Sequence, residues 1–484
     1  MKGYARNLVI SIVLILLNHT LFAQAVTDPE ELFSEGEYFF LSEEYEEALY
    51  YYLQLVELFQ DHANFNWKAG NTYLQIPGQE FMAIPYLEKA ITKTSIKYKK
   101  RKFKEKNAPH HAYFMLGNAY RHNNELEKAL EIYDIFVNSK DFEGNYNLRI
   151  VETEIASCNR AKIIRDDPVD ASFTKLEDPV NTSSDNTNAV TSGDGNTLVF
   201  VTELKFYDAI HLSKKIDGKW TPPEVLNPQV GSDGDFYPTA LSYDGKELYM
   251  VRHATENNDL YVSTLGESFW SKAIPLNSFI NTRAHETHAS LSKDGNFLYF
   301  TSARRGGTGN LDIYRSERKP GGDWEEAVNL GPKINTPEDE NAPFLSTDGN
   351  RLIFCSKGHF NMGGYDIFYS DLETNGEWTD PVNIGYPINT TGDELFYFPI
   401  GNGSQGYMAK VDRDGPLTFD IYLVEIPDPE VIPPAADLPV FNRDFIIKLY
   451  RPETGDTLFL HYNKEKDVIK SSDPSYSIII DEGK

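Results

Sequence analysis

The sequence predicts a multidomain chain, α then β: a helical repeat array, a five-bladed β-propeller and a short C-terminal β segment. Two repeats carry this reading. A turn of the form Ser-x-Asp-Gly recurs at Ser192–Gly195, Ser242–Gly245, Ser292–Gly295 and Ser346–Gly349, with a degraded copy at Ile400–Gly403, in steps of 50, 50, 54 and 54 residues. Ahead of it glycine is sparse, and a helical pattern of Leu-Gly-x-x-Tyr, a short turn and Glu-x-Ala is clearest at Leu116–Tyr120 and Leu126–Ala129.

At 484 residues the chain is long enough for two to four domains. It is 40% hydrophobic, 13% aromatic and 25% charged, ordinary globular values with the Tyr and Phe that strands favour. A net charge of −27 argues against a nucleic-acid partner, whose phosphates need a basic footprint. Met1–Ala25 reads as a secretory signal: Lys2 and Arg6 precede the apolar run Leu8–Leu17, and Ala23-Gln-Ala25 offers a cleavage site. That run is too short to span a bilayer, no other approaches the necessary length, and no Cys follows it to carry a lipid. Removing the signal would leave a charge of −29. Cys158 and Cys355 fall in a helix and a strand of different domains, so two buried free thiols are expected and no zinc site.

The helical domain is read as 26–165, with its periodicity from Asp28 to Arg165. Three helix pairs are expected. The first carries Leu32, Gly36 and Phe39, then Tyr45, Ala48 and Tyr52. The second carries Trp67, Gly70 and Tyr73, then Ala83, Leu87 and Ala90. The third carries Leu116, Gly117 and Tyr120, then Leu126, Ala129 and Tyr133. A helix over Asn147–Ile164 would cap the array. The pattern resembles the tetratricopeptide repeat, in which small residues let one helix approach the next and aromatics fill the gap. It departs from that repeat in lacking the closing Pro and in the stretch from Lys93 to His111. This stretch holds the main basic run: Lys97, Lys99, Lys100, Arg101, Lys102, Lys104 and Lys106. It reads either as a solvated extension of the preceding helix plus a loop, or as a docking patch for an acidic partner or an anionic polymer.

The propeller is read as 166–426. After Asp166-Asp-Pro168 ends the helices, each unit repeats one order of elements. In the clearest unit the turn Ser292–Gly295 precedes a strand over Phe297–Ser302, a glycine-rich loop over Arg304–Asn310, a strand over Asp312–Ser316 and a strand over Trp324–Leu330. Asp208, Asp259, Asp312, Asp366 and Asp420 keep step with it, as do Trp220, Trp270, Trp324 and Trp378. A period near fifty with about four strands per unit is a propeller signature. The fifth unit lacks its last strand, because Pro-Asp-Pro follows Ile426. Ser172–Leu176, ahead of the first unit, is therefore expected to complete the last blade and close the ring. A six-bladed alternative would need a unit that is not there. Pro427–Pro439 reads as a proline-rich spacer, and 440–484 as a short β segment, either a β-sandwich that stops early or a piece that packs on the propeller.

No catalytic constellation is expected. There is no Gly-x-Ser-x-Gly elbow, no His-Glu-x-x-His and no phosphate loop. His285 and His288 flank Glu286 without a further ligand, which is weak grounds for a metal, and no cofactor is expected. Gly306–Gly309 joins strand to strand and so reads as a hairpin loop. The repeated Asp residues are read as structural, bonding backbone N–H groups of the preceding loop, since an enzyme needs one site and a fold needs the same bond in every unit. A second set, Asn186, Asp235, Glu286, Glu340 and Glu394, precedes the first strand of each unit. It is either a carboxylate ring near a channel mouth, able to hold a cation, or a set of turn caps.

Asp339-Glu-Asn-Ala-Pro343, Ser346-Thr-Asp-Gly349 and Asp366-Ile-Phe-Tyr369 resemble the WD40-like repeats of TolB-type propellers. With tetratricopeptide-like repeats ahead of that propeller and a leader ending in Phe-Ala-Gln, the chain resembles a group of Bacteroidota envelope proteins, fuller members of which continue into an OmpA-type peptidoglycan-binding domain. One branch serves type IX secretion. The resemblance implies a non-enzymatic scaffold, exported and peripheral to the outer membrane, that binds envelope proteins through its repeats and propeller faces. The OmpA-type part has no counterpart here, so no residue is assigned to peptidoglycan. The alternatives are a propeller that binds a glycan or peptide at its channel mouth, and an envelope hydrolase.

Overall fold

The computed structural model describes residues 28–426 apart from 255, 256, 414 and 416, together with strands at 445–451, 456–463 and 468–471. The expected signal, the proline-rich spacer and the final Tyr476–Lys484 lie outside the described residues. The chain divides into two compact units, 1–427 and 428–484.

The first unit opens with helices. Asp28 caps α1 (Pro29–Leu41), its carboxylate accepting from Glu30 N at 2.9 Å, with Pro29 at the position where a missing N–H costs nothing. Next come α2 (Tyr45–Leu58), α3 (Ala63–Tyr73) and, after a single 3-10 turn, α4 (Ile84–Ala90). A parallel pair of two-residue strands, β1 (Thr94–Ser95) and β2 (Ala108–Pro109), spans the inserted loop. Then follow α5 (Ala112–His122), α6 (Leu126–Val137) and α7 (Leu148–Arg165), the last capped by the Asn147 side chain. The expected close approaches are present. A Cβ on Gly36 would meet the Tyr52 ring at 2.7 Å, and one on Gly117 would fall inside the Tyr133 ring. Both tyrosines are fully buried, and each hydroxyl reaches back to the preceding helix, Tyr52 to Glu37 at 2.6 Å and Tyr133 to Asn118 at 2.7 Å.

Five antiparallel sheets follow. The first blade is β4 (Asn186–Thr191), β5 (Thr197–Leu204), β6 (Tyr207–Ile216) and β7 (Lys219–Trp220), with β8 (Glu224–Val225) also on β6. The second is β9 (Phe236–Leu241), β10 (Glu247–Arg252), β11 (Asp259–Thr264) and β12 (Ile274–Pro275). The third is β13 (Glu286–Leu291), β14 (Phe297–Ser302), β15 (Asp312–Glu317) and β16 (Val328–Asn329). The fourth is β17 (Glu340–Leu345), β18 (Arg351–Ser356), β19 (Asp366–Asp371) and β20 (Val382–Asn383). The fifth is β21 (Tyr397–Ile400), β22 (Gln405–Val411) and β23 (Phe419–Glu425), and its outer strand is β3 (Ser172–Lys175) from ahead of the first blade. Tyr422 pairs with Lys175 and Glu425 with Ser172, the expected closure.

The outer strands are shorter than the sequence suggests. Trp324–Leu330 is not one strand: Trp324 makes a lone bridge to Arg318, and pairing resumes only at Val328–Asn329. The Trp side chain instead packs inward, 2% exposed, under the Arg318 guanidinium at 4.6 Å.

The cores lie between blades. Val190 and Val199 of the first pack with Phe236 and Met250 of the second, and Val251 and Leu260 of the second pack with Ala289 and Phe300 of the third. Ile313 meets Phe354 and Phe368, Cys355 and Ile367 meet Tyr397 and Val424, and Ile421 meets Leu198 and Phe200 of the first blade. The apolar seam thus runs round the whole ring. Both cysteines are free and buried.

The helical array docks on the loops between second and third strands of blades four and five and on the connection between those blades, which holds Thr391. Arg121 Nη1 donates to the Thr391 carbonyl at 2.6 Å and Thr391 Oγ1 returns a bond to the Arg121 carbonyl at 2.5 Å. Arg160 donates to the carbonyl and side chain of Asn361, Ser157 donates to the Met362 carbonyl, and Met362 is buried in the helical core. The second unit is an antiparallel meander of β24 (Phe445–Arg451), β25 (Asp456–Asn463) and β26 (Val468–Ser471).

Candidate functional site

The five residues read as a possible mouth ring do not form one. Glu286 accepts from Thr282 N and Oγ1 at 2.8 Å each and from Ser302 Oγ at 2.7 Å. Glu340 repeats this with Thr336 and Ser356, all at 2.7 Å, and Glu394 with Thr390. Asn186 accepts from Thr202. In the second blade the register position belongs to Phe236, while Asp235, one residue earlier, pairs with Arg252 at 2.5 Å. The carboxylates are spent tying each incoming connection to its own inner strand. Burial pushes the Glu340 carboxyl up to about 7, and burial with the nearby Asp366 pushes Glu394 up to about 8. Among the described residues no group of three or more His, Cys, Asp or Glu is placed to hold a metal ion.

Four of the repeated Asp residues bond within their own blades, and Asp208 bonds a residue of the next. Asp312 accepts from Thr308 N and Gly309 N, and Asp366 from Met362 N, the bonds expected of them. Elsewhere the same position takes a different partner: Tyr237 for Asp208, Asn257 for Asp259, Lys175 for Asp420. His288 turns away from Glu286 and sits 3.0 Å from Asn341 Oδ1, and burial lowers its imidazole to about 4.

The channel mouth is built by the second residue of each Ser-x-Asp-Gly turn. Gly193 N donates to the Tyr243 carbonyl, the Tyr243 ring lies against Gly193, and Lys293 Nζ stands 4.8 Å over that ring. Thr347 bonds the Gly401 carbonyl through both N and Oγ1. The hollow they leave is about 70 Å³, floored by Leu241, Leu291, Leu345 and Phe398.

The basic run makes a larger feature. Helix α4 ends at Ala90, so Lys97–Lys106 is not a helical extension. The loop lies across α1 and α3 through two aromatic anchors. The Phe103 ring is 6.0 Å from Phe33 and 5.8 Å from Phe65, and the Tyr98 ring is 5.2 Å from Trp67 with its hydroxyl donating to Asn64 Oδ1 at 2.9 Å. Between the anchors the chain turns sharply at Arg101, φ 55°. The cations beside the anchors face outward. Lys97, Lys99, Lys102, Lys104 and Lys106, joined by Lys93, surround an open hollow of about 680 Å³; Lys100 and Arg101 stand outside its rim. Glu105 sets the loop's shape, its carboxylate accepting from Lys99 N at 3.2 Å and from Asn107 N at 3.0 Å.

No family model matches the chain, and no curated protein matches it. The propeller has TolB-like structural neighbours. TolB from Acinetobacter baumannii is similar at 19% identity over 50% of this chain and 55% of that one, with a TM-score of 0.34. This chain thus spans about half the length of that protein. A putative TolB from Agrobacterium tumefaciens is similar at 13% identity over 63% and 88%, TM-score 0.34. An α-L-arabinofuranosidase from Podospora anserina in complex with cellotriose is similar at 11% identity over 54% and 95%, TM-score 0.36.

One set of residues went unread in the sequence. Asn227, Asn281, Asn335 and Asn389 each clasp the third strand of their blade, and Asn181 clasps that of the last. Asn335 accepts from Ile313 N at 2.8 Å and donates to the Ile313 carbonyl at 3.0 Å; Asn389 does the same to Ile367, and Asn281 to Leu260. The signal was available in Val328-Asn-Leu-Gly-Pro-Lys-Ile-Asn335 and its copies, where the last Asn keeps the blade period.

Proposed function

We propose that this chain is an exported, non-enzymatic scaffold that binds protein partners of the cell envelope, peripheral to the outer membrane. The observation that carries the reading is the docking of the helical array on the propeller through Arg121–Thr391 and Arg160–Asn361, which holds two kinds of recognition surface in one unit. The family resemblance supplies the compartment and, at its most specific, the type IX secretion machinery as the assembly served. No helix among the described residues is long and apolar enough to cross a membrane. The glycan-at-the-mouth alternative gains little from a hollow of about 70 Å³, against roughly 300–1,000 Å³ for ligand pockets. The hydrolase alternative would recruit the repeated Asp residues, which are engaged in bonds that hold loops and strands of the propeller. The test is capture of the full chain from crosslinked envelopes. Membrane-assembly subunits that co-purify in fixed ratio are the expected result. A free soluble protein, or turnover of an envelope substrate by the purified chain, overturns the reading.

A further inference from the structure

We propose that the lysine-rimmed hollow over α1 and α3 binds a compact, multiply charged phosphate group. Six lysines, Lys93, Lys97, Lys99, Lys102, Lys104 and Lys106, border one open hollow of about 680 Å³, a volume in the range of small-ligand sites. None of the six makes an ion pair among the described residues, in a chain whose net charge is −27. The one acid at the rim, Glu105, has its oxygens turned to backbone N–H groups and the Asn107 amide, so it shapes the loop and forms no ion pair with the amines.

Three features select the ligand's chemistry. The rim carries no aromatic side chain, so nothing there stacks a base or a sugar ring. It carries no arginine, so nothing there grips a planar carboxylate in two-pronged fashion; lysine meets phosphate as a point charge. The hollow is lined from one short stretch, 93–107, and does not extend into the groove that an acidic peptide would follow at about 3.3 Å per residue. Crowded like charges are relieved best by a ligand that concentrates several charges on few atoms. The anchors Phe103 and Tyr98 fix the loop before the ligand arrives, which lowers the ordering cost of binding. The phosphate would come from a soluble polyphosphate or from the phosphorylated headgroup of a lipid surface. This inference does not depend on the scaffold reading.

The test uses the full chain with sodium tripolyphosphate by calorimetry, and with phosphatidylcholine vesicles with and without cardiolipin by co-sedimentation. Wild type is expected to bind tripolyphosphate, and the variant carrying Lys99→Ser, Lys102→Ser, Lys104→Ser and Lys106→Ser to bind at least tenfold more weakly. Phe103→Ala keeps every charge and is expected to lose about fivefold through the unpinned loop. Glu105→Ala, which adds net positive charge, should also weaken binding if the loop's shape matters, and it serves where Phe103→Ala does not fold. Binding to cardiolipin vesicles as well as to tripolyphosphate assigns the headgroup; binding to tripolyphosphate alone assigns the free anion. Three results overturn the proposal: no binding by wild type, undiminished binding by both loop-shape variants, or tighter binding of poly-glutamate than of tripolyphosphate.

Discussion

Asn181 and Ile421 stand 240 positions apart and are joined by two hydrogen bonds. Ile421 N donates to Asn181 Oδ1 at 2.8 Å, and Asn181 Nδ2 donates to the Ile421 carbonyl at 3.0 Å. The amide imitates a neighbouring strand for one residue. The clasp that each of blades two to four closes locally is closed in the fifth by the segment that precedes the first. The ring is therefore sealed by β3 and by Asn181 together, with Lys175 adding ion pairs to Asp412 and Asp420 at 2.7 and 2.6 Å.

Asn181→Ala leaves the Ile421 N–H buried without its partner, while the Ile421 carbonyl keeps the bond from Leu176 N. The expected loss is about 1–3 kcal/mol, read as a lower urea midpoint with an unchanged slope. Asn375→Ala, which removes exposed bonds to Glu373 and from Glu377 N, is the control and should move the midpoint little. Equal effects of the two would show that the clasp is incidental to closure.

Asp366 and Glu394 make stability depend on pH. Burial pushes the Asp366 carboxyl up to about 7, and burial with the Asp366 charge pushes Glu394 up to about 8, both above the values of an unfolded chain. Between about pH 4 and 8 the folded protein holds protons that the unfolded chain has released. Stability is then full below pH 4 for these groups and falls as pH rises through 7 to 8, by about 1.4 kcal/mol per pH unit for each group while it holds its extra proton. Urea midpoints should be higher at pH 5.5 than at pH 8. Asp366→Asn with Glu394→Gln should reduce that difference, leaving the share of Glu340, whereas an unchanged slope in the double variant would show that Asp366 and Glu394 do not carry it. Removing the side chain altogether, as in Asp366→Ala or Asp312→Ala, should cost about 1–3 kcal/mol by stranding loop N–H donors.

Gly117→Ala tests the helical array. Its Cβ would enter the space of the Tyr133 ring, which is fully buried and bonded to Asn118. Overpacking of this kind costs about 1–3 kcal/mol. Tyr133→Leu in the same background should recover part of the loss, because the smaller side chain yields the space. A melting temperature lowered equally in the single and double variants would refute the steric account.

How much of this was legible depends on repetition. The Phe297–Ser302 strand, the Ser-x-Asp-Gly turns and the strand borrowed from Ser172 onward were readable because five copies reinforce one another and one copy lacks its end. The mouth ring was misread at Asp235 because an acidic residue lay one position from a register that Phe236 occupies. The basic loop's anchors were hidden for the opposite reason: Phe103 and Tyr98 occur once, inside a charged run with no period to betray which residues face inward. The docking contacts join residues 201 to 270 positions apart through single polar side chains, and no local pattern marks them.

Arg121 is where those contacts converge, and uncoupling the two domains is the decisive use of it. The side chain is largely buried, donates to the Thr391 carbonyl and pairs with Glu154 at 3.0 Å, so the same guanidinium holds α7 to α5 and both to the propeller. Arg121→Ala leaves Glu154 without its partner and the Thr391 carbonyl without its donor; with Glu154 partly solvated the expected cost is about 1–3 kcal/mol. Arg160→Ala removes only the bonds to Asn361 and leaves the helical core intact. If the docking is what makes array and propeller one unit, Arg160→Ala should split a single calorimetric transition into two and expose the connection at Asp166–Asp170 to protease, while each domain keeps its secondary structure. Arg121→Ala should do the same and also lower the helical transition itself. A single sharp transition with a protected connection in both variants would mean that neither arginine alone is needed to hold the domains together.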